Sequence, residues 1–227
     1  PIAAGVGRTK RIDGEAMTSV ANTGLGCISA LGRNTGAMAV ALEEGRCAIG
    51  PLTVTPTDRL LVKIGAQVAD FHPMAHFDEK RLMLLDRCAQ LGLVAAREAV
   101  AMSGLEFRGD LGARTAAIIG SGVGGMGTLD ESFHRLYAEG AKRFQPFIIP
   151  KLMISATVSH STMEHGIRGP AFTVASACAS ANHAIGTAFQ MVRTGAVDAA
   201  VTGGTETVFT LGTLKAWEAM RILAPDT

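Results

Sequence analysis

The chain has 227 residues, with 48% hydrophobic residues and 27 glycines, enough for one large domain or two small ones, and a composition suited to an α/β protein with many tight turns. A formal net charge of +1 argues against nucleic acid as the main partner, and no apolar run reaches the roughly 18 residues of a membrane-spanning helix, nor is a signal-peptide pattern visible. The four cysteines, at 27, 47, 88 and 178, have neither metal-ligand spacing nor the pairing of a disulfide framework, which favours a reducing, cytoplasmic compartment.

Residues 1–16 show neither helical nor strand periodicity and read as a flexible N-terminal extension, with Met17 as a natural start. Residues 17–32 read as a strand and a Gly-rich turn, Thr23-Gly-Leu-Gly26. Thr35 to Glu44 is a helix carrying Met38, Ala41 and Leu42 on one face and stopped by Gly45. Pro51 and Pro56 make the next stretch a loop, followed by a short strand from Val62 to Val68. Asp78 to Met102 reads as one long helix, because Leu82, Leu85, Cys88, Ala89, Gly92, Leu93, Ala96 and Val100 recur at helical spacing. Lys80, Arg81 and Arg87 in its first turns are by default a solvated face.

Arg114 to Gly120 is an apolar strand that runs into Gly120-Ser-Gly-Val-Gly-Gly125, ahead of a helix from Thr128 to Glu139. This satisfies G-x-G-x-x-G between a strand and a helix, the signature of a dinucleotide site. Against that reading, no later strand ends in an acidic residue at about 20 residues' distance. An extended apolar loop, Gln145 to Pro150, follows instead. Residues 151–168 form a helix ending at Gly166, and Asp198 to Gly203 and Thr213 to Met220 are the last strand and helix. No internal repeat is visible.

Between Gly169-Pro170 and Gly195 lies the stretch with a chemical signature. A strand, Phe172 to Ala175, enters a turn of small residues around Cys178, and a helix leaves it with Ala184, Ile185, Ala188, Phe189 and Val192 on one face. The start of a helix offers unpaired N–H groups and partial positive charge. A thiolate there is stabilised as a nucleophile, and the same N–H groups suit the oxyanion of a tetrahedral intermediate. The plain alternative is a buried structural cysteine packed among alanines. The six histidines, at 72, 76, 134, 160, 165 and 183, show no metal-site spacing.

The order of Ser176-Ala-Cys178, His183-Ala-Ile-Gly186, Gly195-Ala-Val-Asp198 and Val201-Thr-Gly-Gly-Thr-Glu206 resembles the β-ketoacyl-acyl-carrier-protein synthases. The opening Thr23-Gly-Leu-Gly26 fits the same family. The resemblance implies an α/β chain with the N-terminal half of a thiolase-like fold, a mixed, mainly parallel sheet between helices. That domain covers 17–227 and lacks its last strand and the C-terminal half. The resemblance also implies Cys178 as the residue that accepts the acyl chain, followed by decarboxylative condensation with malonyl-acyl carrier protein in fatty acid or related lipid or polyketide biosynthesis. Val123 would gate the acyl pocket, with Phe147, Ile148 and Ile149 on a loop closing it. Lys142 and Arg143, and more weakly Lys80 and Arg81, would meet an acidic acyl carrier protein. Leu82, Met83 and Leu84 stand where the family often carries more basic residues, which fits a specialised carrier of a nodulation or polyketide type.

His183 would be a packing residue, and the family's catalytic histidines, its Lys and a second oxyanion donor lie beyond this sequence. A homodimer paired through the strand before Cys178 is implied, with no cofactor, metal, nucleic acid or membrane partner. Two alternatives remain open: a coenzyme A thiolase, and a non-catalytic partner subunit of the chain-length-factor kind, which usually lacks the nucleophile.

Overall fold

The run from Thr115 to Gly120 is buried at every position, as a central strand covered on both faces requires, and it reads accordingly as a nearly continuous apolar string. The computed structural model describes residues 2–5, 19–53 and 55–225. In chain order the elements are β1 (Ile2–Gly5), β2 (Gly24–Gly26), α1 (Thr35–Glu43), β3 (Gly50–Pro51), β4 (Ile64–Gly65), a 3-10 turn at Pro73–Ala75, α2 (Glu79–Leu82), α3 (Arg87–Ser103), α4 (Gly109–Ala113), β5 (Thr115–Gly120), α5 (Met126–Tyr137), α6 (Ile148–Leu152), α7 (Ala156–His165), β6 (Ala171–Val174), α8 (Ser180–Arg193), β7 (Ala199–Gly204) and α9 (Leu211–Ala219). They fall into two units. The first takes the described residues within 1–27, Cys88–Gly124 and Ile154–Glu206, and the second takes Ile28–Arg87, Gly125–Met153 and the described residues after 206.

The first unit holds a mixed sheet in the order β2-β1-β7-β5-β6. Its centre is parallel: β5 pairs with β6 from Ala117↔Ala171 to Gly120↔Val174, and with β7 from Thr115↔Ala199 to Gly120↔Gly204. β1 is antiparallel to both β2 and β7. Of the apolar face read for α8, Ala184, Ala188 and Val192 pack on Ala116, Ile118, Val197 and Ala200, whereas Ile185 and Phe189 are exposed. Side chains such as Ile118 and Val192 contribute roughly 1.5–3 kcal/mol each when buried this way. The Gly-x-x-Asp motif is structural here. Arg114 Nε and Nη2 each donate to the Asp198 carboxylate at 2.7 Å, and Nη2 also donates to the Gly195 carbonyl at 3.0 Å. That fork ties the entry of β5 to the entry of β7.

The second unit has a smaller core of Leu52, Leu60 and Leu214, flanked by Phe209, Leu211, Trp217 and Leu223. Asn34 caps α1 by accepting from Ala37 N at 2.7 Å, and Thr210 caps α9 by accepting from Thr213 N at 3.2 Å. Glu218 of α9, with a side chain only 4% exposed, accepts from Lys215 Nζ at 2.6 Å and from the N–H groups of Leu61 and Val62 at 2.6 and 3.1 Å. The hydrogen bond from Lys215, helped by the two loop N–H groups and opposed by desolvation, holds the Glu218 carboxyl below the usual carboxylate range. A depressed carboxylate contributes stability above its unfolded pKa and loses it as pH falls through the folded value. The wild-type melting temperature is therefore expected to step down below about pH 4.3. Glu218→Gln removes that step and melts lower at neutral pH. Parallel melting curves for the two proteins between pH 6 and 3 would contradict the clamp.

The structure corrects several expectations. The helix expected from Asp78 to Met102 is two helices, α2 and α3, with Met83 to Asp86 between them. Leu82, Leu85 and Cys88 keep the helical period across the break, so periodicity does not register it. The break follows from Asp86, which is buried and accepts from the Thr128 N–H and hydroxyl at 2.8 and 2.6 Å. The apolar loop Gln145 to Pro150 is corrected to the short helix α6, whose Pro150 sits in the first turn, where a missing N–H costs nothing. The strand from Val62 to Val68 shrinks to β4, paired with β3 through Gly50↔Gly65 and Pro51↔Ile64. Within 1–16, Ile2–Gly5 is a strand, and the rest of the expected extension lies outside the described residues.

Candidate active site

Five residues join β6 to α8, and Cys178 stands in their midst, exposed and free of any disulfide. Ala177, just before it, has φ of 52°. That left-handed conformation costs an alanine about 1–2 kcal/mol and persists only where the surroundings hold it. They do so through the first turn of α8. Ser176 N donates to Ser180 Oγ at 2.9 Å, and the Ser180 hydroxyl donates to the Ala177 carbonyl at 2.7 Å. Ser176 Oγ and His183 Nδ1 lie 2.7 Å apart. His183 is thus an exposed partner of the turn rather than a packing residue. The structural-cysteine alternative fits Cys27 and Cys88, which are buried.

Two glycines let α8 begin where it does. A Cβ on Gly120 would lie 2.3 Å from the Ser180 carbonyl carbon, and one on Gly204 would lie 2.6 Å from Ala181 Cβ. The ends of β5 and β7 are therefore seated directly under the helix that follows Cys178.

The Gly-rich turn lies beside this point. A Cβ on Gly122 would come within 3.8 Å of Ala177 Cα. Its amides are already engaged: Gly122 N and Val123 N donate to Glu206 Oε2 at 2.5 and 3.1 Å. Ser121 Oγ lies 3.3 Å from Glu206 Oε1 and accepts from Gly124 N at 3.1 Å. The N–H groups that a dinucleotide phosphate would need are held by a carboxylate of this chain. The Val123 side chain is exposed. In the sequence Glu206 stands only as the last residue of Gly-Gly-Thr-Glu, and nothing local ties it to a turn 84 residues away.

The second unit carries the other candidates. A cavity of about 160 Å³ is lined by Met83, Thr128, Arg135 and Arg143, with Phe147, Ile148 and Lys151. It brings Arg143 together with Phe147 and Ile148, while Lys142 and Ile149 lie outside its lining. Arg135 and Lys151 were not singled out from the sequence. Their cationic neighbours in the cavity only emerge once α5 and α6 pack. Lys80 and Arg81 sit on α2, Lys80 exposed and Arg81 over the Phe77 ring at 5.7 Å. Among the described residues no group of three His, Cys, Asp or Glu stands close enough to hold a metal, and no helix is long and apolar enough to cross a membrane.

A parallel-centred sheet that delivers a cysteine on a strand-to-helix turn, beside a Gly-rich turn, is the N-terminal half of a thiolase-like fold. The chain belongs to the β-ketoacyl synthase family: the Beta-ketoacyl synthase, N-terminal domain matches residues 17–227. It is 40% identical over 205 residues to Nodulation protein E of Rhizobium sp. (strain N33), covering 90% of this chain and 51% of that protein. It is 32% identical over 204 residues to 3-oxoacyl-[acyl-carrier-protein] synthase 2 of Staphylococcus aureus (strain N315), covering 90% and 49%. The solved ishigamide ketosynthase/chain length factor superposes with a TM-score of 0.82 at 26% identity, over 90% of this chain and 51% of that one. The chain thus spans about half the length of the curated relatives it matches.

Proposed function

We propose that this chain supplies the acyl-accepting half of a 3-oxoacyl-acyl-carrier-protein synthase, with Cys178 as its nucleophile. The observation that carries the reading is the exposed thiol next to a strained residue, on a turn stitched to the first turn of α8. The Cys178 thiolate attacks the thioester carbonyl of an acyl carrier protein. The bond from carbonyl carbon to carrier sulfur breaks, and the carrier leaves as its thiolate, which takes a proton from solvent. Malonyl-carrier then loses CO2, and its carbanion attacks the acyl-Cys carbonyl. The carbon–sulfur bond to Cys178 breaks, freeing the thiolate and a 3-oxoacyl-carrier two carbons longer. This is ping-pong covalent catalysis.

Val123, and Phe147, Ile148 and Ile149, are proposed as acyl-chain contacts on the strength of the family resemblance. Lys142 and Arg143 are the proposed carrier contacts, with Lys80 and Arg81 beside them in role. Arg135, Arg143 and Lys151 outnumber Glu131 in the lining of one cavity, a net positive surface of the kind an acidic carrier seeks. Arg143→Glu is expected to weaken acyl-carrier binding on the order of tenfold, chiefly through the association rate and with a flatter salt dependence. Unchanged binding in titrations at low and high salt would remove Arg143 from the docking surface. The identity is greater to Nodulation protein E than to 3-oxoacyl-[acyl-carrier-protein] synthase 2, and a specialised carrier of the nodulation type is proposed on that ground. A homodimer through β6 is proposed as well, since β6 is the sheet edge and leaves Phe172 exposed.

A further inference from the structure

We infer that Glu206 is a positioning residue: its carboxylate fills the amide nest of the Gly-rich turn and so fixes where Val123 stands beside the Cys178 turn. The inference rests on the proposed acyl-transfer reading for its consequence, and on geometry alone for the nest. Three glycines in a row of five, Gly122, Gly124 and Gly125, leave the turn few conformational constraints of its own. Gly124 is itself in the left-handed region, at φ of 65°. Successive backbone N–H groups in such a turn form a concavity for an anion. Here the anion is built in. Glu206 Oε2 takes the amides of Gly122 and Val123 at 2.5 and 3.1 Å, and the Ser121 hydroxyl closes the ring at 3.3 Å from Oε1.

The carboxylate is delivered from a fixed point. The preceding residue, Thr205, donates its N–H to the Gly120 carbonyl at 3.1 Å and its hydroxyl to the Cys88 carbonyl at 2.8 Å. One residue thus couples the end of β7 to the turn after β5. The turn lies against Ala177, next in sequence to the thiol. A turn held this way presents the Val123 side chain in one place, and a selective pocket needs that. Without the carboxylate, the amides turn to water and the turn samples several conformations.

The test uses the protein with Glu206→Gln, whose amide cannot accept both N–H groups with the same charge-assisted strength. Glu206→Asp, which keeps the charge but withdraws it by one methylene, serves as the second variant. Hydrogen exchange of the peptide carrying 120–125 is expected to rise at least tenfold in Glu206→Gln, with exchange in β5 and α8 unchanged. The ratio of long-chain to short-chain acyl loading on Cys178, read by intact mass, falls at least fivefold. Glu206→Asp falls between in both. Unchanged exchange in the 120–125 peptide overturns the nest. Faster exchange with an unchanged loading ratio overturns the positioning role. A wild-type protein that takes no acyl group sinks the proposed function instead, and the exchange result still decides the nest by itself.

Discussion

Cys178→Ala is expected to fold as the wild type does and to transfer no acyl group. The hydrogen bonds that shape the turn run through Ser176, Ser180 and His183, and none uses the thiol. An exposed thiol replaced by a methyl leaves no cavity, so the stability change stays within about 0.5 kcal/mol. Activity has no such reserve. Removing the nucleophile from a covalent mechanism costs on the order of 10⁴-fold or more. Condensation of labelled malonyl-carrier, measured beside the melting temperature, separates the two effects. Cys47 is the other exposed cysteine, so Cys47→Ala should retain full activity. Equal turnover in Cys178→Ala and wild type would remove the cysteine from the chemistry.

Gly120→Ala is expected to destabilise the first unit strongly and, unlike the comparable clashes at Gly24 and Gly26, to do so at the helix that follows Cys178. The added carbon would sit 2.3 and 2.4 Å from the Ser180 carbonyl carbon and oxygen and 2.5 Å from Ala181 N. These are backbone atoms, which no rotamer change can clear, so the start of α8 must move. Overpacking of this kind costs roughly 3 kcal/mol, or about 6–12 °C in melting temperature for a chain of this size. Because the same helix turn holds the Cys178 loop, acyl loading falls with it. Gly186→Ala is the matched control. It lies within α8, and a Cβ there meets nothing within 4 Å. It is expected to be neutral or to stabilise by up to about 1 kcal/mol through helix propensity. Equal melting temperatures for Gly120→Ala and wild type would show that the sheet and helix are not in the contact described.

The parts of the fold that were legible in sequence are those whose signal is local. The buried strand β5 announces itself as an apolar string, and α8 by an apolar face and a glycine stop at Gly195, whose φ is 77°. The Cys178 turn shows itself as a run of small residues between them. The parts that were not legible depend on partners far away in sequence. The break between α2 and α3 is set by Asp86 and Thr128, 42 residues apart, while the leucines on either side keep a helical period. Pro146 and Pro150 hide α6, because prolines read as loop unless one knows that Pro150 falls in a first turn. Ile2–Gly5 pairs with β7, nearly two hundred residues on, and four small and apolar residues carry no register of their own. Glu206 lies 84 residues from Gly122. The Gly-rich motif advertised an anion site correctly but not that the anion belongs to the chain. The charge cluster of Arg135, Arg143 and Lys151 depends in the same way on how α5 and α6 meet.

The central claim is that Cys178 accepts an acyl group from a carrier protein, and intact mass tests it most directly. The protein is incubated with a long-chain acyl-carrier protein, beside Cys178→Ala and beside the matching acyl-coenzyme A. A single acyl adduct in the wild type, lost in Cys178→Ala and slow to form from coenzyme A, is the predicted result. An adduct that persists in Cys178→Ala, or a folded wild type that takes no acyl group from any carrier, would contradict it and favour a catalytically silent partner subunit.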